Sequence, residues 1–195
     1  PDWNMDMAQL SPGQSKSSQL IVSIHDYSYI FYSYKLRSLQ TAKLTRPGVS
    51  FLIPLSSMPI DFLEQKFNSA VICCVPFGGS VSTITPDNFH GVAVTITNKV
   101  LLQGLDARSQ IPDCWPERIG NTFCCPTPLQ LSNLQADLLE ISGRFDSAGD
   151  IDLEELQWLR NFSEDRLLPL IFSITALART RPASSSSRDI CTGVM

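Results

Sequence analysis

The feature that most limits what this chain can fold into is a change of hydrophobic period partway along it. From Ser18 to about Leu105 the apolar residues fall in short runs rich in Ile, Val, Phe and Tyr, punctuated by Gly, Pro, Asn and Asp, as short strands and turns require. After Thr127 they recur every three or four residues instead, which puts them on one stripe of a helix. A chain built this way is expected to be α+β, with a β-rich N-terminal part followed by helices.

The period-two region predicts strands at Ser18–Ile24, Tyr27–Leu36, Val49–Leu55, Phe62–Phe67, Ala70–Val75, Ser80–Thr85 and Gly91–Thr97. Turn signals such as Arg46-Pro47-Gly48, Phe77-Gly78-Gly79 and Pro86-Asp87-Asn88 separate them, a rhythm that suits a barrel or sandwich. In the second strand Tyr27, Tyr29 and Phe31 share one face while Ile30, Tyr32, Tyr34 and Leu36 share the other. A strand that is aromatic on both faces is expected to be covered on both. Residues 98–106 read as a short helical segment, and 111–126 as an irregular connection containing Pro112, Trp115, Pro116 and Pro126.

Thr127-Pro128-Leu129-Gln130 then reads as a helix start, with Thr127 as N-cap, Pro128 at the first helical position and Gln130 closing a capping box. Leu131, Leu134, Leu138, Ile141 and Phe145 step by three and four onto a single stripe. Residues 146–149 break the helix. A second helix restarts at the acidic stretch Asp150 to Glu155, favoured at a positive helix N-terminus, with Leu153, Leu156, Leu159 and Trp158 expected to face inward. Ser163-Glu164-Asp165 reads as a further cap before a last apolar helix at 167–178, its regular part starting at Pro169. The Ser-rich stretch after Arg179 has linker composition.

Composition bounds the function. Of 195 residues, 43% are hydrophobic and only 17% charged, and the mean hydropathy is +0.02, so most of the chain should fold. A net charge of −4 is the wrong sign for neutralising phosphates, so this stretch is not expected to bind nucleic acid by itself. No apolar run reaches membrane-span length, and the N-terminus lacks the pattern of a signal peptide; a soluble, cytoplasmic protein is expected. Six cysteines include two vicinal pairs, Cys73-Cys74 and Cys124-Cys125. With no C-x-x-C motif, they are expected to be reduced, partly buried thiols.

Two readings of the residues stay open. The aromatic strand either fills a core or lines a pocket, since Tyr offers an apolar body with a polar tip; the pocket candidates are Tyr27, Tyr29 and Phe31, with Phe51. The stripe Leu131, Leu134, Leu138, Ile141 and Phe145 packs either on its own sheet or on a second copy of itself.

The order of parts resembles the AraC/XylS family of transcription regulators, and within it the subgroup typified by the ethanolamine regulator. Met7-Ala8-Gln9-Leu10-Ser11-Pro12-Gly13 resembles the Q-L-x-P-G element at the head of such sensor domains. Pro47-Gly48-Val49-Ser50-Phe51-Leu52-Ile53-Pro54-Leu55 resembles the strand that follows. Arg188 to Met195 falls where the family begins its paired helix-turn-helix domain. The resemblance implies a cupin-like β-barrel or sandwich that senses a small-molecule effector over residues 1–110, then the connection 111–126. It further implies a helical dimerisation segment over 127–180, in which Leu131, Leu134, Leu138, Ile141 and Phe145 form the seam of a homodimer. Residues 181–195 would be the linker and the start of a DNA-binding domain that engages promoter DNA. No cofactor is implied.

A cupin-like metal enzyme is the alternative from another class, but His25 and His90 stand apart without a third ligand, and no metal site is expected. Asp61 and Glu64, and the acidic group Asp150 to Glu155, could be read as paired catalytic carboxylates; the second group is better explained by the helix dipole. The expectation is a regulator, not an enzyme; a stand-alone ligand-binding or adaptor domain is the remaining alternative.

Overall fold

A computed structural model of the chain describes residues 2–56, 60–63, 67, 70–100, 121–146 and 151–177. Among the described residues ten strands run as β1 (Trp3–Gln9), β2 (Ser17–Ile24), β3 (Tyr27–Tyr34), β4 (Ser38–Leu44), β5 (Val49–Pro54), β6 (Asp61–Phe62), β7 (Ile72–Pro76), β8 (Ser80–Thr85), β9 (Phe89–Ile96) and β10 (Thr122–Cys124). Helices follow as α1 (Pro128–Asp146), α2 (Leu153–Phe162) and α3 (Leu168–Leu177), the last two joined by a π-helical turn at Ser163–Leu167. The chain is α+β, as the change of period requires.

The strands form two open antiparallel sheets. One has four strands in the order β1-β4-β8-β6, the other six in the order β10-β7-β5-β9-β3-β2. Neither sheet closes on itself, so of the expected barrel or sandwich the closed barrel is excluded, and the strands form a pair of open sheets. The six-stranded sheet is a middle layer. One of its faces meets the four-stranded sheet in a core that includes Leu52, Cys73, Val75, Ala93 and Tyr34 against Leu44, Phe62 and Val81. Its other face meets the helices in a second core that joins Tyr29, Phe51, Ile53, Val92 and Val94 to Leu134, Leu138, Ile141, Leu159 and Ile171. Coverage on both sides explains why β5 reads Val-Ser-Phe-Leu-Ile-Pro and is buried along its whole length, without the alternation of a half-exposed strand.

The N-terminus of α1 is capped as the sequence predicts. The Thr127 amide donates to Gln130 Oε1 at 2.9 Å and the Gln130 amide donates to Thr127 Oγ1 at 3.2 Å, a reciprocal capping box. For α2 the cap is Asp152, whose Oδ1 accepts from the Glu155 amide at 2.8 Å. Ser163 is not a cap. Its backbone is helical, and α2 runs through the π-turn into α3 with the Leu168 amide reaching back to the Ser163 carbonyl. The wider turn falls just before Pro169, whose ring would otherwise crowd the preceding turn of an α-helix.

Several expectations are corrected. Of the strand expected at 62–67, Asp61–Phe62 is strand among the described residues, and β1, β4 and β10 are strands outside the expected set. Leu153 is 83% exposed rather than inward, because it is the first residue of α2 and lies beyond the edge of the sheet-facing stripe. Residues 98–100 begin a helical turn; the rest of that segment, the connection up to residue 120 and the tail from residue 178 lie outside the described residues. Cys73, Cys74 and Cys124 are buried thiols, as expected, but Cys125 is disulfide-bonded. The vicinal pair divides between faces: Cys124 joins the helix-side core and Cys125 packs on the inter-sheet core, so neighbouring residues meet different partners. No helix among the described residues is long and apolar enough to cross a membrane.

Candidate functional site: a cavity between the two sheets

Between the sheets lies a cavity of about 350 Å³, within the size range of small-molecule sites. Strand register explains its wall. In the six-stranded sheet Gln19 pairs with Tyr32 and Tyr32 with Gly91. In the next inward row Ile21 pairs with Ile30, Ile30 with Ala93 and Ala93 with Leu52. In the four-stranded sheet Gln40 pairs with Thr83, Ala42 with Val81 and Met5 with Ala42. All of these except Gly91 line the cavity, together with Trp3, Asn4, Tyr34, Ile60 and Thr85. Space is left where large cross-strand pairs would otherwise meet, since Ala42 and Ala93 face it from opposite sheets.

Gly91 shapes the site from behind. A Cβ there would stand 2.9 Å from Tyr32 Cζ and Oη and 2.9 Å from Phe89 Cε1, so the Tyr32 ring lies across the strand where a side chain would be. Only glycine permits that approach. The Tyr32 ring also packs near Tyr34 and Phe89, with centroids 5.7 and 6.0 Å away. Burial raises the Tyr32 phenol well above its ordinary value, helped by the nearby Tyr34, so it stays a neutral hydrogen-bonding group. The Gln40 amide donates from Nε2 to Thr85 Oγ1 at 3.3 Å. The indole N–H of Trp3 is buried with no acceptor among the described residues, a donor left open in the cavity wall.

The four pocket candidates from the sequence lie elsewhere. Tyr27, Tyr29, Phe31 and Phe51 are buried in the helix-side core, with Tyr29 and Phe51 at 0% exposure, and none of them lines this cavity, although Tyr27 borders a second cleft. The aromatic strand does line it, through the alternate residues Ile30, Tyr32 and Tyr34. Tyr29 has a different task. Ser163 Oγ donates to the Leu159 carbonyl at 2.5 Å, which uses its only proton; its 2.5 Å contact with the Tyr29 hydroxyl is therefore donated by Tyr29. Tyr27 Oη, on the same face of β3, donates to Glu164 Oε1 at 3.5 Å. One strand thus carries cavity wall on one side and contacts to the π-turn on the other.

The helical stripe also lies within the chain. Leu134, Leu138 and Ile141 are 0% exposed and Phe145 is 3% exposed, all in contact with the middle sheet's core, while Leu131 is half-buried. On the far side of α1, Leu129 and Leu139 are 71% and 54% exposed. Asp137, beside the stripe, is buried, and its Oδ1 lies 2.6 Å from Arg166 Nη2 of the π-turn. Desolvation raises the Asp137 pKa, and the opposing pull of Arg166 only partly offsets it.

A second cleft of similar size runs between the β2–β3 turn and α2, edged by the charged groups Asp26, Lys99 and Arg160. His25 and His90 are both exposed. Among the described residues no three His, Cys, Asp or Glu side chains are gathered where they could hold a metal ion.

Compared with known proteins, the sequence matches no family model and no curated protein. Solved structures do match. The AraC-like transcriptional activator CuxR superposes with a TM-score of 0.53 over 93% of this chain, at 10% sequence identity. ToxT from Vibrio cholerae aligns over 97% of the chain at 11% identity, with a TM-score of 0.35. The chain spans 64% of the CuxR chain and 63% of the ToxT chain. At these identities what is shared with CuxR is the fold, and that fold is the one found in an AraC-like regulator.

Proposed function

We propose that this chain is the regulatory part of an AraC-type transcription factor. A small effector occupies the inter-sheet cavity, the chain acts as a homodimer in the cytoplasm, and promoter DNA is engaged through a helix-turn-helix domain C-terminal to it. The observation that supports this most is a cavity of about 350 Å³ with neutral polar groups in its wall, set inside a fold shared with an AraC-like activator. The net charge of −4 disfavours phosphate contacts by this chain itself, in keeping with a separate domain that makes them.

The effector acts only through its different affinity for two arrangements of the protein, commonly worth ~1–3 kcal/mol. Strand β3 offers a short route. A ligand that moves Tyr32 shifts the strand whose opposite face carries Tyr29 and Tyr27, which contact the π-turn at Ser163 and Glu164. With Leu134, Leu138, Ile141 and Phe145 buried against the chain's own sheet, the twin subunit is assigned to the outer face of α1, around Leu139.

The test is the coding sequence and its product. A reading frame that continues past Met195 into two helix-turn-helix units, and a full-length protein whose promoter affinity changes with an effector that the cavity binds, is the expected result. A frame that stops there, or full-length protein whose DNA affinity ignores every cavity ligand, contradicts the proposal.

A further inference from the structure

Resting on that reading of the cavity, we infer that its ligand is an electrically neutral amphiphile, held with its polar end toward the β3–β4 and β8–β9 turns and its apolar end toward Leu52 and Ala42.

The first observation is charge. No Asp, Glu, Lys, Arg or His lines the cavity among the described residues. A carboxylate, phosphate or ammonium entering it would lose hydration and gain no counter-ion, which strongly disfavours binding. The polar groups that are present, amides and hydroxyls, suit a ligand hydroxyl, carbonyl or amide.

The second observation is that the amide and hydroxyl groups of Gln19, Tyr32, Tyr34, Gln40, Thr83 and Thr85 are gathered at one end. In the middle sheet they form the row Gln19–Tyr32, followed by Tyr34. In the facing sheet they form the row Gln40–Thr83, followed by Thr85. Topology puts the two rows at one end. Strand β3 finishes at Tyr34 and β4 starts at Ser38, while β8 finishes at Thr85 and β9 starts at Phe89. Each of these connections crosses from one sheet to the other, so the polar stretches at the end of β3, the start of β4 and the end of β8 must lie together. Moving away from those turns, the rows become Ile21–Ile30–Ala93–Leu52 and Met5–Ala42–Val81. The lining therefore changes from mostly hydrogen-bonding to mostly apolar along one direction in both sheets, with Asn4 and the Trp3 indole N–H as the polar groups at the far edge beyond Met5–Ala42.

A matched pair of dyes tests this: N-phenyl-1-naphthylamine, which is neutral, and 8-anilinonaphthalene-1-sulfonate, which has nearly the same shape with a sulfonate added. Each is titrated by fluorescence into the intact chain and into Ala42→Phe, which fills the apolar end, with Val81→Phe as a second filling variant, each confirmed folded by circular dichroism. The neutral dye is expected to bind the wild type at least about ten-fold more tightly than the anionic one, and to lose that binding in the filled variants. Gln40→Lys places a cation at the polar end and is expected to bring the two affinities together or reverse them. Equal binding of both dyes to the wild type, removed by the filling variants, would overturn the neutral-ligand inference while leaving the site in place. Binding of either dye that ignores the filling variants would overturn the site itself. An unchanged preference in Gln40→Lys would contradict the assignment of the polar end.

Discussion

At the scale of single residues, Gly91 on β9 and Tyr29 on β3 have separate tasks on the two faces of the middle sheet. Gly91 lets the Tyr32 ring lie flat on β9, because a Cβ there would approach Tyr32 Oη to 2.9 Å. Gly91→Ala is expected to push that ring into the cavity, weakening ligand binding and costing about 1–3 kcal/mol of stability, as urea denaturation and a dye titration would show; a variant with unchanged affinity would mean that Tyr32 does not border the ligand. Tyr29→Phe removes the hydrogen bond to Ser163 and is expected to cost about 1 kcal/mol while leaving the cavity, which Tyr29 does not line, able to bind. Asp137 makes a prediction in pH. Because its folded-state pKa is raised by desolvation, the native state holds its proton more tightly than the unfolded one, so this group's contribution is fully present below the ordinary aspartate range of about 4 and is lost as pH rises through its folded value. Asp137→Asn should flatten that fall in a pH series of urea midpoints; an unchanged slope would assign it to other groups.

Among the elements, α1 was the most legible in sequence and the four-stranded sheet the least. The Thr127–Gln130 capping box and the three-four spacing of Leu134, Leu138, Ile141 and Phe145 are local signals, and local physics decides them. What the stripe packs on is not local. Leu138→Ala is expected to destabilise the chain by about 2–5 kcal/mol, whereas Leu139→Glu, on the exposed side, should leave the fold intact and reduce the mass measured by light scattering to that of a monomer. A folded, still dimeric Leu139→Glu would remove the assigned interface. Strand β4 went unrecognised because its inward positions, Ser38, Gln40 and Ala42, are polar or small, as residues facing a cavity rather than a core can be. The strict alternation Trp3-Asn4-Met5-Asp6-Met7 was a readable strand signal for β1. The aromatic strand was found, and its two-sided burial with it, but periodicity cannot say which face of a doubly covered strand borders a void. That choice depends on the distant residues Ala42, Val81 and Thr83, paired only by tertiary structure.

For the whole molecule, three layers give two cores with different tasks. The helix-side core is densely apolar and holds the large side chains Tyr29, Phe51, Leu134 and Leu138 at no exposure. The inter-sheet core is interrupted by the cavity and contains the buried polar side chains Gln40 and Thr83, which a tightly packed core would exclude. The middle sheet is shared by both, so a ligand on one side and the helices on the other press on the same strands. The measurement that tests this account most directly is a thermal-shift screen of small metabolites run in parallel on the wild type and on folded Ala42→Phe. The account predicts uncharged compounds that raise the melting temperature of the wild type by mass action and leave the variant unmoved. Compounds that stabilise both proteins equally, or a screen in which only charged compounds act, would contradict it.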